Sequence, residues 1–135
     1  MKNGNWCKKI DFLILLYLKM SVQNIRVAYI RPLGYHNLKE WINDDKNVYI
    51  GRGDILFIDG EKYPKESSKW HNPYKIGYQY TRSSCLDAYE TYIKKKIKEN
   101  PEKYNLKELI GKNLGCWCFP KKCHGNILIK LLENF

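Results

Sequence analysis

"KNLGCWCFPKKCHGNILIKLLENF", residues 112–135, decides the architecture. Residues 112–118 read as a strand. Residues 125–135 read as an amphipathic helix with Ile127, Leu128, Leu131, Leu132 and Phe135 on one side. Between them Pro120 keeps Phe119 extended and turns the chain. A strand that feeds a helix through a short loop is the repeating unit of an open α/β sheet. Such sheets bind ligands beyond the C-terminal ends of their strands.

Working outward, "IRVAYI" (25–30) is β-branched and apolar and reads as a buried strand, broken by "RPLGYH". "NLKEWIND" (37–44) opens a helix with Asn37 and has Glu40 three residues on, a capping-box pattern. "NVYIG" (47–51) is a second strand, and "DILFIDGEKYP" (54–64) a further short strand with a turn at Asp59-Gly60. "KESSKWHNPYKIG" (65–77) is loop-like. The longest helix starts at Ser83 or Ser84 and runs to Asn100, before Pro101, with Leu86, Tyr89, Ile93 and Ile97 on one face. "NLKELIG" (105–111) is a shorter helix stopped by Gly111. This order predicts a single α/β domain over residues 20–135. Its expected form is a mostly parallel sheet with flanking helices, a Rossmann-like three-layer arrangement.

The 135 residues are 44% hydrophobic and carry a formal charge of +10. That is enough apolar material for a core without disulfides, and the charge points toward polyanions. The cations are 20 lysines against only 4 arginines, alongside 12 asparagines and 14 isoleucines. A codon bias toward A and T produces that mixture without selection for nucleic acid. Arginine, the better bidentate partner of phosphates and bases, is scarce.

Residues 1–19, "MKNGNWCKKIDFLILLYLK", place lysines before an apolar run at Phe12–Leu18. The run is too short to span a bilayer, and no small-residue cleavage site follows. "MSVQNIRVAYI" from Met20 reads as a natural start, so residues 1–19 are expected to be an upstream extension.

Cys7 and Cys85 stand alone, whereas Cys116, Cys118 and Cys123 crowd together. This is the pattern of functional thiols in a reducing, intracellular compartment, not of a secreted disulfide framework. Three chemistries fit the cluster. Cys116, Cys118, Cys123 and His124 have the residue types of a Cys3His zinc site, although the spacing is not that of a knuckle; the three thiols also suit an iron–sulfur cluster. In the second, Cys123 is a thiolate favoured by the helix N-terminus and by Lys121 and Lys122, with His124 as general acid or base and Gly125 admitting an anion to the backbone. In the third the cysteines only fill core.

Elsewhere Arg52, between two glycines after a strand, is placed to hold an anion. Asn72 before Pro73 binds ligand or braces a turn. Lys69 and Arg82 are phosphate contacts or solvated charges. Trp70 and Tyr74, Tyr78 and Tyr80 read more readily as packing than as base recognition. No Walker loop, dinucleotide fingerprint or nucleophile elbow is present.

"VYIGRG", "KWHNPYKIG" and "LIGKNLGCWCFPKKCHGNILIKLL" together resemble domain-of-unknown-function family 4326, found in bacteria, phages and large DNA viruses. His71 stands where the family usually has glycine, and residues 54–67 resemble an insertion. The resemblance implies a compact α/β domain and supplies no activity. From the residues, the expected function is binding of an anionic nucleotide-like molecule or nucleic-acid end. Arg52, Lys69, Asn72, Arg82 and the 116–125 loop would line the site, with thiol- or metal-assisted chemistry there. The alternatives are a zinc-containing nucleic-acid-binding module without catalysis and an interaction protein with packing cysteines.

Overall fold

The structure is a computed structural model that describes residues 20–134. The expected extension, residues 1–19, lies outside the described residues. The chain forms β1 (Ser21–Asn24), α1 (Val27–Ile30), a 3-10 turn (Arg31–Leu33), α2 (Leu38–Asn43) and β2 (Asn47–Tyr49). A hairpin of β3 (Leu56–Ile58) and β4 (Glu61–Tyr63) follows, then α3 (Arg82–Glu99), a second 3-10 turn (Leu106–Leu109), β5 (Asn113–Cys116) and α4 (His124–Glu133).

β5 lies between β1 and β2 and runs parallel to both, with Val22 and Val48 each opposite Leu114. Alternation along these strands feeds two separate cores. Leu114, Cys116 and Ile50 join Tyr89 and Ile93 of α3 and Leu128 and Leu132 of α4 on one face. On the other face Tyr49 and Trp117 join Ile25, Ile30, and Leu38 and Trp41 of α2. The sheet is therefore covered on both sides, as expected for parallel strands. Gly115 makes the second layer possible. A Cβ there would collide with the Trp41 indole and sit 2.7 Å from Ile25 Cγ2. Trp41 Nε1 meanwhile donates to Gln23 Oε1 at 3.2 Å.

The stretch 25–30 is not a strand. β1 ends at Asn24, and Val27–Ile30 form a helical turn. The β-branched residues favour a strand, but Asn24 overrides them. Its side-chain oxygen accepts the Arg26 N–H at 2.9 Å, an Asx turn that ends the ladder. Its amide nitrogen donates to the Phe119 carbonyl at 2.7 Å, pinning the end of β1 to the loop after β5.

α3 starts earlier than Ser83. Thr81 Oγ1 accepts the Ser84 N–H at 3.1 Å while Ser84 Oγ accepts the Thr81 N–H at 3.0 Å, a reciprocal cap. Its buried line is Cys85, Tyr89 and Ile93. Asn37 caps α2 as expected, accepting the Glu40 N–H at 3.0 Å. Residues 106–109 are 3-10 rather than α-helical, closed by Gly111 at φ +76°. The turn at Asp59-Gly60 is present, with both residues at positive φ, 53° and 80°.

Candidate functional site: a cation-lined cleft over two thiols

Parallel pairing brings the C-terminal ends of β2 and β5 to the same edge of the domain. There the chain opens a cleft of about 350 Å³. Gly51 and Arg52 enter it from the end of β2, and Cys116, Trp117 and Cys118 from the end of β5. Lys122, Cys123 and His124 come from the turn into α4, and Arg82, Cys85 and Leu86 from the start of α3. The loop after Asn72 closes the side with Tyr74, Lys75 and Ile76.

Cys116 and Cys123 meet at its floor. Cys116 ends β5 and Cys123 is the N-cap of α4, and their sulfurs lie 3.1 Å apart. Asn126 Oδ1 accepts the Cys123 N–H at 2.9 Å, which holds the helix start in place. The thiol of Cys123 donates to Cys116 and holds that thiol down to about 7, with further help from the Cys118 and Phe119 N–H groups against the opposing effect of burial. The same bond, then burial, pushes the Cys123 thiol up. Sequence reasoning assigns the thiolate to Cys123 at the helix N-terminus. The Cys118 and Phe119 N–H groups favour charge on Cys116, against the Gly125 N–H alone on Cys123.

His124 lines the cleft with a mostly enclosed ring. Its Nε2 lies 2.6 Å from the Ile50 carbonyl, which can only accept, so Nε2 carries the proton. Burial, opposed by that carbonyl, holds its pKa down to about 4, and the ring is neutral at pH 7. Tyr89 meets the ring edge-on, centroids 5.0 Å apart, and bonds through its hydroxyl to the Trp70 carbonyl at 2.7 Å.

The four residues expected as a zinc set are not gathered into one. Cys116 and Cys123 face each other, Cys118 is only partly buried, and His124 uses Nε2 on Ile50. Among the described residues no three His, Cys, Asp or Glu side chains are placed to hold a metal ion. As placed, the set does not fit zinc.

Arg52 does reach the cleft. Its Nη2 donates to the Asn72 carbonyl at 2.7 Å and the Tyr74 carbonyl at 3.3 Å, fastening the side wall. Asn72 braces the same wall: its Oδ1 accepts the Tyr74 N–H at 2.9 Å, and its amide donates to Cys85 Sγ at 3.3 Å. Arg82 Nη1 donates to the Lys122 carbonyl at 2.9 Å, tying α3 to the turn before α4. Lys69 does not line the cleft; its ammonium pairs with Glu108 and bonds to the Lys103 carbonyl at 2.7 Å. Gly125 does not line it either. It is buried where a Cβ would press on Ile50 and Val22, each 3.0 Å away, so its role is close packing of α4 on the sheet.

Sequence reasoning missed Cys85, Leu86, Ile55 and Lys75 as lining residues. Only Cys85 carries a local signal, a cysteine in the first turn of a helix.

The family model for DUF4326, a domain of unknown function, matches residues 34–134. The chain belongs to the DUF4326 family. A relative, "Uncharacterized protein R718" of Acanthamoeba polyphaga mimivirus, is 33% identical over 100 residues, covering 66% of this chain and 71% of the relative. No solved structure matches. The DUF4326 match takes in the whole cleft, from Gly51 to His124. No described helix is long and apolar enough to cross a membrane.

Proposed function

We propose that the protein binds an anionic, ring-bearing small molecule of the nucleotide class in this cleft, with the Cys116 thiol presented to it as a nucleophile. The observation that carries the reading is the charge of the wall. Arg52, Lys75, Arg82 and Lys122 line it, and among the described residues no aspartate or glutamate does. Clustered cations in a recess with low-dielectric walls draw anions and hold them more strongly than exposed lysines do. Trp117, Tyr74 and Ile76 supply flat and apolar surface for a ring. At about 350 Å³ the recess suits one mononucleotide-sized molecule rather than a duplex.

The test is native mass spectrometry and calorimetry of the full chain against nucleoside mono-, di- and triphosphates and a short single strand. The expected result is saturable binding of a mononucleotide. Affinity should fall several-fold in Arg82→Ala and Lys122→Ala and weaken as salt rises. Binding of the strand alone, with no mononucleotide bound, would assign the cleft to a nucleic-acid end. Binding unaffected by either substitution would remove the cleft from the function.

A further inference from the structure

We propose that Cys116 and Cys123 form an exchanging dithiol that reacts with small anionic disulfides entering the cleft and closes reversibly to an intramolecular disulfide. The inference goes beyond nucleotide binding and stands even if the cleft binds no nucleotide. It rests on the position of the two sulfurs. They lie 3.1 Å apart, about 1 Å more than a disulfide bond. One sits at a strand end and the other at a helix start, joined by the loop 117–122, so the local chain can supply that movement.

Access selects the substrate. Cys116 and Cys123 are 2% and 3% exposed, and both line the cleft. A folded protein's disulfide does not reach them, whereas a small linear one does. The lining cations favour a disulfide carrying carboxylates or phosphates over a neutral or cationic one.

The chemistry balances without a cofactor. The Cys116 thiolate attacks one sulfur of the incoming R–S–S–R. A Cys116–S–S–R bond forms, the original S–S bond breaks, and one RS⁻ leaves with the electron pair. Cys123 then gives up its proton to that thiolate, and its sulfur attacks Cys116. The second RS⁻ leaves and the Cys116–Cys123 disulfide remains. The dithiol has lost two electrons, and the small disulfide is reduced to two thiols. Cys118, outside the pair and more exposed, is the internal comparison.

The experiment equilibrates the full chain with mixtures of reduced and oxidised glutathione, an anionic peptide disulfide, then acid-quenches, alkylates and maps the peptides. The expected product is a Cys116–Cys123 disulfide, lost on adding reductant. Cys123→Ser should stop at a Cys116–glutathione mixed disulfide. A second arm compares initial rates with cystamine, a cationic disulfide. Glutathione disulfide should react roughly ten-fold faster at low salt, the gap narrowing as salt rises. A chain that stays fully reduced, or is modified first at Cys118 or Cys85, overturns the proposal. Equal or faster reaction with cystamine overturns the substrate class. The mapping is done on unsubstituted protein without nucleotide, so a misfolded variant cannot hide the answer. Failure to bind nucleotide leaves this result unaffected.

Discussion

His124 donates through Nε2 to the carbonyl of Ile50 at 2.6 Å, joining the start of α4 to the residue that follows β2. The contact lies between the cleft and the core, where burial keeps the ring uncharged although the carbonyl itself favours the protonated form.

That burial sets a pH dependence. The pKa of His124 falls from 6.5 to about 4 on folding, so between those values the unfolded chain binds more protons. Stability is therefore fully present above pH 6.5 and is lost as pH falls toward 4, by up to about 2–3 kcal/mol. Urea denaturation at pH 7, 5.5 and 4.5 measures the loss. His124→Gln removes the titration and should flatten the profile across this window.

Alkylation of Cys116 should follow a sigmoid in pH centred near 7, the value at which its thiol is held. Cys123→Ala removes the thiol that donates to it and should move the midpoint upward. Iodoacetamide rates read peptide by peptide separate Cys116 from Cys118. A midpoint that stays put in the variant would show that Cys123 is not the donor.

Gly115→Ala should destabilise the fold by about 1–3 kcal/mol, because a Cβ there has to displace Trp41 from the sheet. Denaturation monitored by tryptophan fluorescence reports it. In a Trp41→Leu background the same glycine substitution should cost less, since the space then exists.

Arg52→Met should loosen the 72–76 wall, since Arg52 Nη2 bonds to the carbonyls of both Asn72 and Tyr74. Hydrogen bonds to a charged donor contribute about 1.5–3 kcal/mol. Limited proteolysis should then cut after Tyr74 or Tyr78 earlier than in the unsubstituted chain, and global stability should fall by at least about 1.5–3 kcal/mol.

Local chemistry made part of this legible. Strand alternation anticipates Cys116 and Trp117 on opposite faces, and the helix start at 124 follows from the loop after Pro120. Asn37 and the Asp59-Gly60 turn are equally local. In residues 25–30 strand propensity gives way to the hydrogen bond that Asn24 accepts from the Arg26 N–H, a competition that composition does not display. The cleft was legible only in outline. Arg52, Arg82 and the thiols could be nominated by type and position. That Lys69 turns to Glu108, that His124 bonds to Ile50, and that Lys75 and Cys85 join the lining depend on segments tens of residues apart. No spacing rule encodes those meetings.

The central strand of the sheet, β5, is the last strand in the sequence. Among the described residues, β1 and β2 pair in the sheet with β5 alone. During synthesis they must therefore wait, unpaired, until residue 116 has left the ribosome. The sheet closes in one late event, and its non-local pairing makes that event slow. The same event buries Cys116 and Cys123, so their thiols stay open to oxidants until the sheet has closed.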